Sequence, residues 1–248
     1  MMSEAFRYIV YVLCGTLAFL SFHRLILVWL MSRIQCLPPL KRKDALPKVL
    51  VQVPLYNEPT FCHRIIRSVC SFDYPVDLLE IQILDDSTDE TTYLVEDAVR
   101  FWREQNINVS HLRRDQRDGF KAGALSFGMR LSNAPMIAVF DADFVPTSEF
   151  LLRAVPYFEN DNVGMVQARW GHLNAEQSFL TRAQRVLLDC HFNIEHRVRN
   201  ELGWFFNFNG TAGIWRREAI KEAGGWSDDT VTEDLDLSIR ASMQGWGS

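Results

Sequence analysis

Several common signatures are absent from this chain of 248 residues. Its five cysteines (14, 36, 62, 70 and 190) are odd in number and form no C-x-x-C pair. That usage excludes a disulfide framework and fits reduced thiols in a cytosolic domain. There is no P-loop, no G-x-G-x-x-G and no G-x-S-x-G elbow, which removes the usual phosphate cradle, dinucleotide fingerprint and hydrolase nucleophile. Internal repeats and low-complexity tracts are also missing. A net charge of −5 provides no basic field for nucleic acid. Cys190, His191 and His196 lie one, five and six positions apart, spacings that do not make a zinc-binding helix face.

One long apolar run is present. Residues 8–22 carry no charge, and after His23 and Arg24 the run resumes to Met31. As a helix this is about 36 Å long, against roughly 30 Å of hydrocarbon. His23 and Arg24 leave two forms open, one tilted helix with a snorkelling Arg24 or a packed pair of short segments. No small-residue cleavage site follows, so the run reads as an anchor rather than a signal peptide. Arg7 precedes it and Arg33, Lys41, Arg42, Lys43 and Lys48 follow. This bias predicts that everything after residue 32 is cytosolic. The expected organisation is a transmembrane segment 1–32, a basic linker 33–47 and one domain over 48–248.

From Lys48 the pattern alternates. Strands are expected at 49–53, 80–84, 107–112, 136–140 and 164–170, and helices at 60–70, 90–105 and 120–131. Such alternation implies βαβ crossovers, hence an α/β domain with a mainly parallel sheet and helices on both faces. Residues 177–200 show one apolar helix face with arginines opposite, which fits either a core-packed surface helix or one lying on a membrane surface. A last helix is expected near Thr232, with Thr230 and Glu233 as a capping box.

In sheets of this kind ligands bind beyond the carboxyl ends of the strands. Tyr56-Asn57-Glu58, Asp85-Asp86 and Asp141-Ala142-Asp143 all fall there. If strand geometry persists, Asp141 and Asp143 point the same way, and two adjacent carboxylates repel unless a cation lies between them. Oxygen ligands suit Mg²⁺ or Mn²⁺ shared with substrate phosphates, whereas the bland reading is two solvated surface aspartates. Gly119-Phe-Lys121-Ala-Gly123 is a short turn whose lysine can meet phosphate at a helix start. Trp170, Trp204, Phe205, Phe206 and Phe208 suit a core or the lining of a sugar cleft.

The segments VPLYNEP, ILDDSTDET, RDGFKAGAL, FDADF, VQARW, FNFNGTAGIWR, AGGW and TVTEDLDLSIR occur in this order over residues 46–246. Together they resemble family 2 glycosyltransferases of the cellulose-synthase superfamily, most closely the cellulose-synthase-like mannan and glucomannan synthases. The resemblance implies a GT-A fold on a membrane anchor and inverting, metal-dependent transfer of a hexose from GDP-mannose or UDP-glucose to a growing β-linked polysaccharide. It implies that Tyr56, Glu58, Asp85, Asp86, Lys121 and Asp141 bind the donor, with Asp143 the metal ligand. Asn209, Gly210 and Thr211 take the acceptor side, and Asp234, beside Glu233, acts as base. At a helix start the dipole is expected to lower the pKa of Asp234, which burial near other acids can offset.

The family's Q-x-x-R-W motif does not follow Asp234 before the sequence given ends, and Gln167-Ala-Arg169-Trp170 has the wrong place for it. An incomplete domain that binds its donor without building polymer is therefore expected. The rivals are a membrane-anchored nucleotide-sugar-binding protein without turnover and a phosphatase of the haloacid-dehalogenase type, whose D-x-D normally opens its domain.

Overall fold

Val49–Leu55 is rich in β-branched and aliphatic residues, and the computed structural model buries nearly all of it as the strand β1. The structure describes residues 4–34 and 45–248; the basic cluster at 41–43 and most of the linker lie outside them. The described residues form two units, 4–34 with 169–204, and 45–168 with 205–248.

The larger unit holds a six-stranded sheet in the order β3-β2-β1-β4-β6-β5. β1, β2 (Leu79–Asp85), β3 (Val109–Arg113) and β4 (Met136–Val139) run parallel, with Val49 opposite both Leu79 and Met136. Their crossovers carry the helices α2 (Cys62–Cys70), α3 (Thr91–Glu104) and α4 (Phe120–Arg130). The chain first steps from β1 outward to β3, then returns to lay β4 on the other side of β1. This reversal is the topological switch point of the sheet, where a crevice opens past the strand ends.

β5 (Met165–Gln167) and β6 (Gly213–Arg216) add antiparallel to β4, with Ile137 opposite Trp215 and Val166 opposite Ile214. Leu50, Ile137, Phe208 and Trp215 form a core with Leu125 of α4, Ile220 of α8 (Arg217–Glu222) and Leu237 of α9 (Glu233–Met243). Full burial of one such aliphatic side chain contributes about 1.5–3 kcal/mol. Gln52 crosses the same layer, donating to Gln82 Oε1 and the Leu125 carbonyl, both at 3.1 Å. A Cβ at Gly128 would meet Gln82 Oε1 at 2.4 Å and Gln52 Nε2 at 2.5 Å, so a larger residue there would have to displace the buried Gln52–Gln82 pair.

In the smaller unit α1 (Glu4–Met31) is one continuous helix, so of the two forms left open the single helix is the one present. It is long and apolar enough to cross a membrane, and most of its apolar side chains, among them Tyr8, Tyr11, Leu17, Phe19 and Leu25, are exposed. The expected helix 177–200 is divided into α6 (Phe179–Cys190), a π-helical turn His191–His196 and α7 (Arg197–Glu201). No residue of α6 is buried, and Phe179, Leu180, Val186 and Leu187 are exposed. The core-packed reading therefore fits only the later turns, which bury Phe192, His196 and Val198. Its arginines are largely neutralised, with Arg182 and Arg185 on Glu176 and Arg199 on Glu195.

Other boundaries moved. β3 begins at Val109 and β5 spans three residues instead of seven. α9 starts at Glu233 with Thr232 as its N-cap and no side-chain cap, so the capping box expected at Thr230 does not form. A reciprocal box forms instead at the start of α6, between Ser178 and Thr181. The five-residue helix α5 (Phe150–Ala154) follows the end of β4.

Candidate active site

β4 stops at Val139, and Asp141 to Phe144 form a turn closed by the Phe144 amide on the Asp141 carbonyl at 3.2 Å. Strand geometry thus does not persist through the two aspartates. Asp143 is exposed, and its carbonyl accepts a bond from Arg64 Nη2 at 2.9 Å. Asp141 turns inward to Lys121, with Nζ to Oδ1 at 2.7 Å.

Lys121 lies in the first turn of α4 and gathers groups from three other segments. Its ammonium is 3.4 Å from Glu233 Oε1 and donates to the Gly210 carbonyl at 2.9 Å. Asp234 approaches from α9: a Cβ on Gly210 would lie 3.0 Å from Asp234 Oδ2 and 3.5 Å from Lys121 Nζ. Gly210 has φ +80°, so it supplies both the backbone turn and the clearance. Burial acts to discharge Lys121, but Asp141 and Glu233 outweigh it and hold its pKa above the ordinary lysine value. Asp141 is pushed up, chiefly by burial and further by Asp143 and Glu233, against the pull of Lys121.

The loop carrying Gly210 is strapped to the sheet. Thr211 Oγ1 accepts from the Asp141 amide at 2.8 Å, and the Ala212 amide donates to Val139 at 2.8 Å. Gln167 accepts from the Asn209 amide and donates to the Thr211 carbonyl, at 2.9 and 3.0 Å. Ser238 Oγ accepts from the Phe208 amide at 2.9 Å and donates to the Asp234 carbonyl at 2.6 Å, fixing α9 to this loop. Asn209 Nδ2 is buried without a hydrogen-bond partner among the described residues.

The pKa of Asp234 is raised, not lowered as its helix-start position suggests. Burial is the main cause and Glu233 adds to it; the Leu235 amide, donating to Oδ1 at 2.8 Å, and Lys121 act the other way without winning. A half-buried carboxyl of raised pKa at a strand-end crevice has the character of a general base.

The acids at the end of β2 serve differently from each other. Asp85 is fully buried, its Oδ2 2.8 Å from His111 Nε2 and its Oδ1 accepting from the Ser87 amide at 2.9 Å. Burial would raise its pKa, but these bonds outweigh it and hold the group below the ordinary aspartate value. Asp86 is paired by Arg114, at 3.0 Å from Nε and 2.5 Å from Nη2. The same guanidinium donates to the Asp118 and Phe120 carbonyls at 2.7 and 3.0 Å. It thereby clamps a turn in which Gly119 has φ +67° and Phe120 φ +46°. A non-glycine residue held there is strained by about 1–3 kcal/mol.

Tyr56 lies past β1, its ring covered by Arg117 at 3.4 Å from the centroid, with Phe120 on the same guanidinium at 5.0 Å. Asn57 bridges to the β2 loop through Ser87 and Thr88, and Glu58 starts the turn into α2. The structure therefore brings Lys121, Asp141, Gly210, Glu233 and Asp234 together. It sets Tyr56 beside the arginine loop and withdraws Asp85 into the sheet. Arg64, Arg114, Arg117 and Gln167 were not picked out from the sequence as site residues. The density of arginines in RRDQRDG was a usable signal, and Gln167 lies in the VQARW segment; Arg64 gave none, because its partner Asp143 is distant in sequence.

Among the described residues no three His, Cys, Asp or Glu side chains are grouped to hold a metal ion. The oxygen donors at Asp141 and Asp143 instead suit a hard cation that takes one or two carboxylates and completes its shell with phosphate oxygens.

Comparison with known proteins gives a consistent picture. Residues 50–224 match the family described as Glycosyl transferase family 2. The chain is 44% identical over 212 residues to glucomannan 4-beta-mannosyltransferase 1 of Cyamopsis tetragonoloba, covering 84% of this chain and 40% of that protein. It is 46% identical over 208 residues to glucomannan 4-beta-mannosyltransferase 9 of Arabidopsis thaliana, covering 82% and 39%. It thus spans about 40% of the length of these relatives. Among solved structures it is similar to mannosyltransferase PcManGT from Pyrobaculum calidifontis in complex with GDP-Man and Mn2+, at TM-score 0.70 and 24% identity over 90% of this chain and 61% of that one. S. aureus TarS follows at TM-score 0.56 and 16% identity over 78% and 33%. At these identities the likeness is one of fold.

Proposed function

The chain belongs to glycosyltransferase family 2, and on that premise we propose that it binds GDP-mannose and transfers the mannosyl group, with inversion, to a hydroxyl of a growing β-linked polysaccharide. The observation that carries this reading is the meeting of Lys121, Asp141, Gly210, Glu233 and Asp234 at the switch point. Mannose is chosen over glucose because the relatives of about 45% identity are named mannosyltransferases.

In this reading Tyr56, Glu58 and Asp86 border the nucleoside, with Asp85 as the buried brace beneath them. Lys121 meets the diphosphate. Asp141 and Asp143 are the residues that would hold Mg²⁺ or Mn²⁺, and the cation, when bound, supplies positive charge to the departing diphosphate. Asn209, Gly210 and Thr211 form the wall on the acceptor side. Asp234 takes the proton of the acceptor hydroxyl as its oxygen attacks the anomeric carbon. The bond from that carbon to the diphosphate oxygen breaks on the opposite face, GDP leaves, and the α-linked donor becomes a β-linked product. Raising the pKa of Asp234 strengthens it as a base, provided the site works above that pKa.

Helix α1 is proposed as a membrane anchor with the domain on the cytosolic side, from its length, its exposure and the charges that flank it. The test of function is incubation of the chain, in membranes, with labelled GDP-mannose and a β-1,4-linked manno-oligosaccharide. A β-linked product one mannose longer is expected. Donor binding without any transfer would favour the binding-protein reading, and preference for UDP-glucose would overturn the donor assignment.

A further inference from the structure

Three carboxylates, Asp141 from the end of β4 and Glu233 and Asp234 from the first turn of α9, face one small volume. Among the described residues they do not form a ligand group for a metal ion on their own, and their mutual repulsion calls for a cation. Here it is already answered from within the chain. Lys121 Nζ contacts Asp141 at 2.7 Å, Glu233 at 3.4 Å and the Gly210 carbonyl at 2.9 Å, so the ammonium uses its three donors on these groups. Asp143, the remaining acid, is exposed on the turn and held by Arg64 only through its carbonyl. A divalent cation arriving alone would find one exposed carboxylate and a second already occupied by a lysine.

We propose that Lys121 acts as a positioning residue that reserves the acidic cluster in the donor-free protein, so that a divalent cation binds only together with or after a nucleoside diphosphate. This rests on reading the site as a donor site. The diphosphate offers the ammonium new anionic acceptors, which releases Asp141. Its oxygens also supply the ligands that the protein lacks. Cation and nucleotide then bind with positive coupling, and reciprocity requires each to tighten the other by the same factor.

Mn²⁺ binding to the whole chain is followed by loss of the free-ion signal in electron paramagnetic resonance, with and without GDP, for the wild type and for Lys121→Met and Lys121→Gln, each titration being corrected by a protein-free one at the same GDP concentration because the diphosphate binds Mn²⁺ by itself. Wild type should bind Mn²⁺ weakly alone and roughly 5- to 150-fold more tightly with GDP, the usual span of such couplings. Both variants should bind Mn²⁺ without GDP more tightly than wild type, and Mn²⁺ should raise their melting temperature while leaving that of wild type in place. Equal Mn²⁺ affinity of the wild type with and without GDP overturns the proposal, as does Mn²⁺ binding in both variants that stays as weak as in the wild type. If calorimetry finds no GDP binding to wild type under any condition, the donor-site reading fails, whichever way the Mn²⁺ titrations fall.

Discussion

Arg114→Ala tests how the crevice is held in shape. The side chains of Arg114 and Asp86 are 11% and 7% exposed, and the guanidinium binds both carboxylate oxygens and two carbonyls. Truncation leaves a nearly buried carboxylate without its counter-charge, and one-sided loss of a buried pair costs about 3–5 kcal/mol. The freed carbonyls of Asp118 and Phe120 lie at exposed positions, where water replaces the bond at little cost. The expected loss is therefore about 3 kcal/mol, at the lower end because the pair is not fully dry. The strained turn at Gly119 and Phe120 loses its clamp as well, so GDP-mannose affinity should fall. The assay is urea unfolding in mild detergent by tryptophan fluorescence, for Arg114→Ala, Asp86→Ala and the double variant. The double variant should cost clearly less than the sum of the two singles. An unfolding free energy for Arg114→Ala within about 0.5 kcal/mol of wild type, the ordinary range of surface substitutions, or strict additivity, would show that Arg114 does not hold Asp86 and this turn.

Asp143→Asn should weaken the Mg²⁺- or Mn²⁺-dependent part of GDP-mannose binding in calorimetry; unchanged metal dependence would remove it from the ligand set. Asp85 has a folded-state pKa below its ordinary 3.8 because its bonds to His111 and Ser87 outweigh burial. Its contribution to stability is thus full above the unfolded value and lost as pH falls through the lower folded one. Asp85→Asn should be less stable than wild type at neutral pH, and the gap in melting temperature should close in acid; a gap independent of pH would contradict this. Membranes containing the chain should retain it through alkaline carbonate extraction, and its release would rule out α1 as a span.

The parallel half of the sheet was legible because β1, β2 and β4 are short apolar runs bounded by polar turns, a pattern that survives without tertiary context. β6 was not read as a strand. It is four residues long, begins with Gly213, and is held in place by antiparallel pairing to β4, which lies far away in sequence. The π-helical turn at His191–His196 carries no local sign, since periodicity cannot register a single inserted residue. At the site, strand-end positions named Asp85, Asp86, Asp141 and Asp143, and the family resemblance named Glu233 and Asp234, but neither named their partners. Lys121 was expected to meet a phosphate, and its grip on Asp141, Glu233 and Gly210 depends on four segments that only the fold brings together. The direction of the Asp234 shift likewise turned on burial, which the sequence does not display.

Asp234 is proposed to take the acceptor proton in a mannosyl transfer. The most direct measurement is the rate of transfer from GDP-mannose to a manno-oligosaccharide by Asp234→Asn at saturating donor, in a preparation where the wild type turns over. Removing a general base costs typically 10²–10⁴-fold, so a rate lower by about that factor is predicted. A rate within a few-fold of wild type would contradict the assignment.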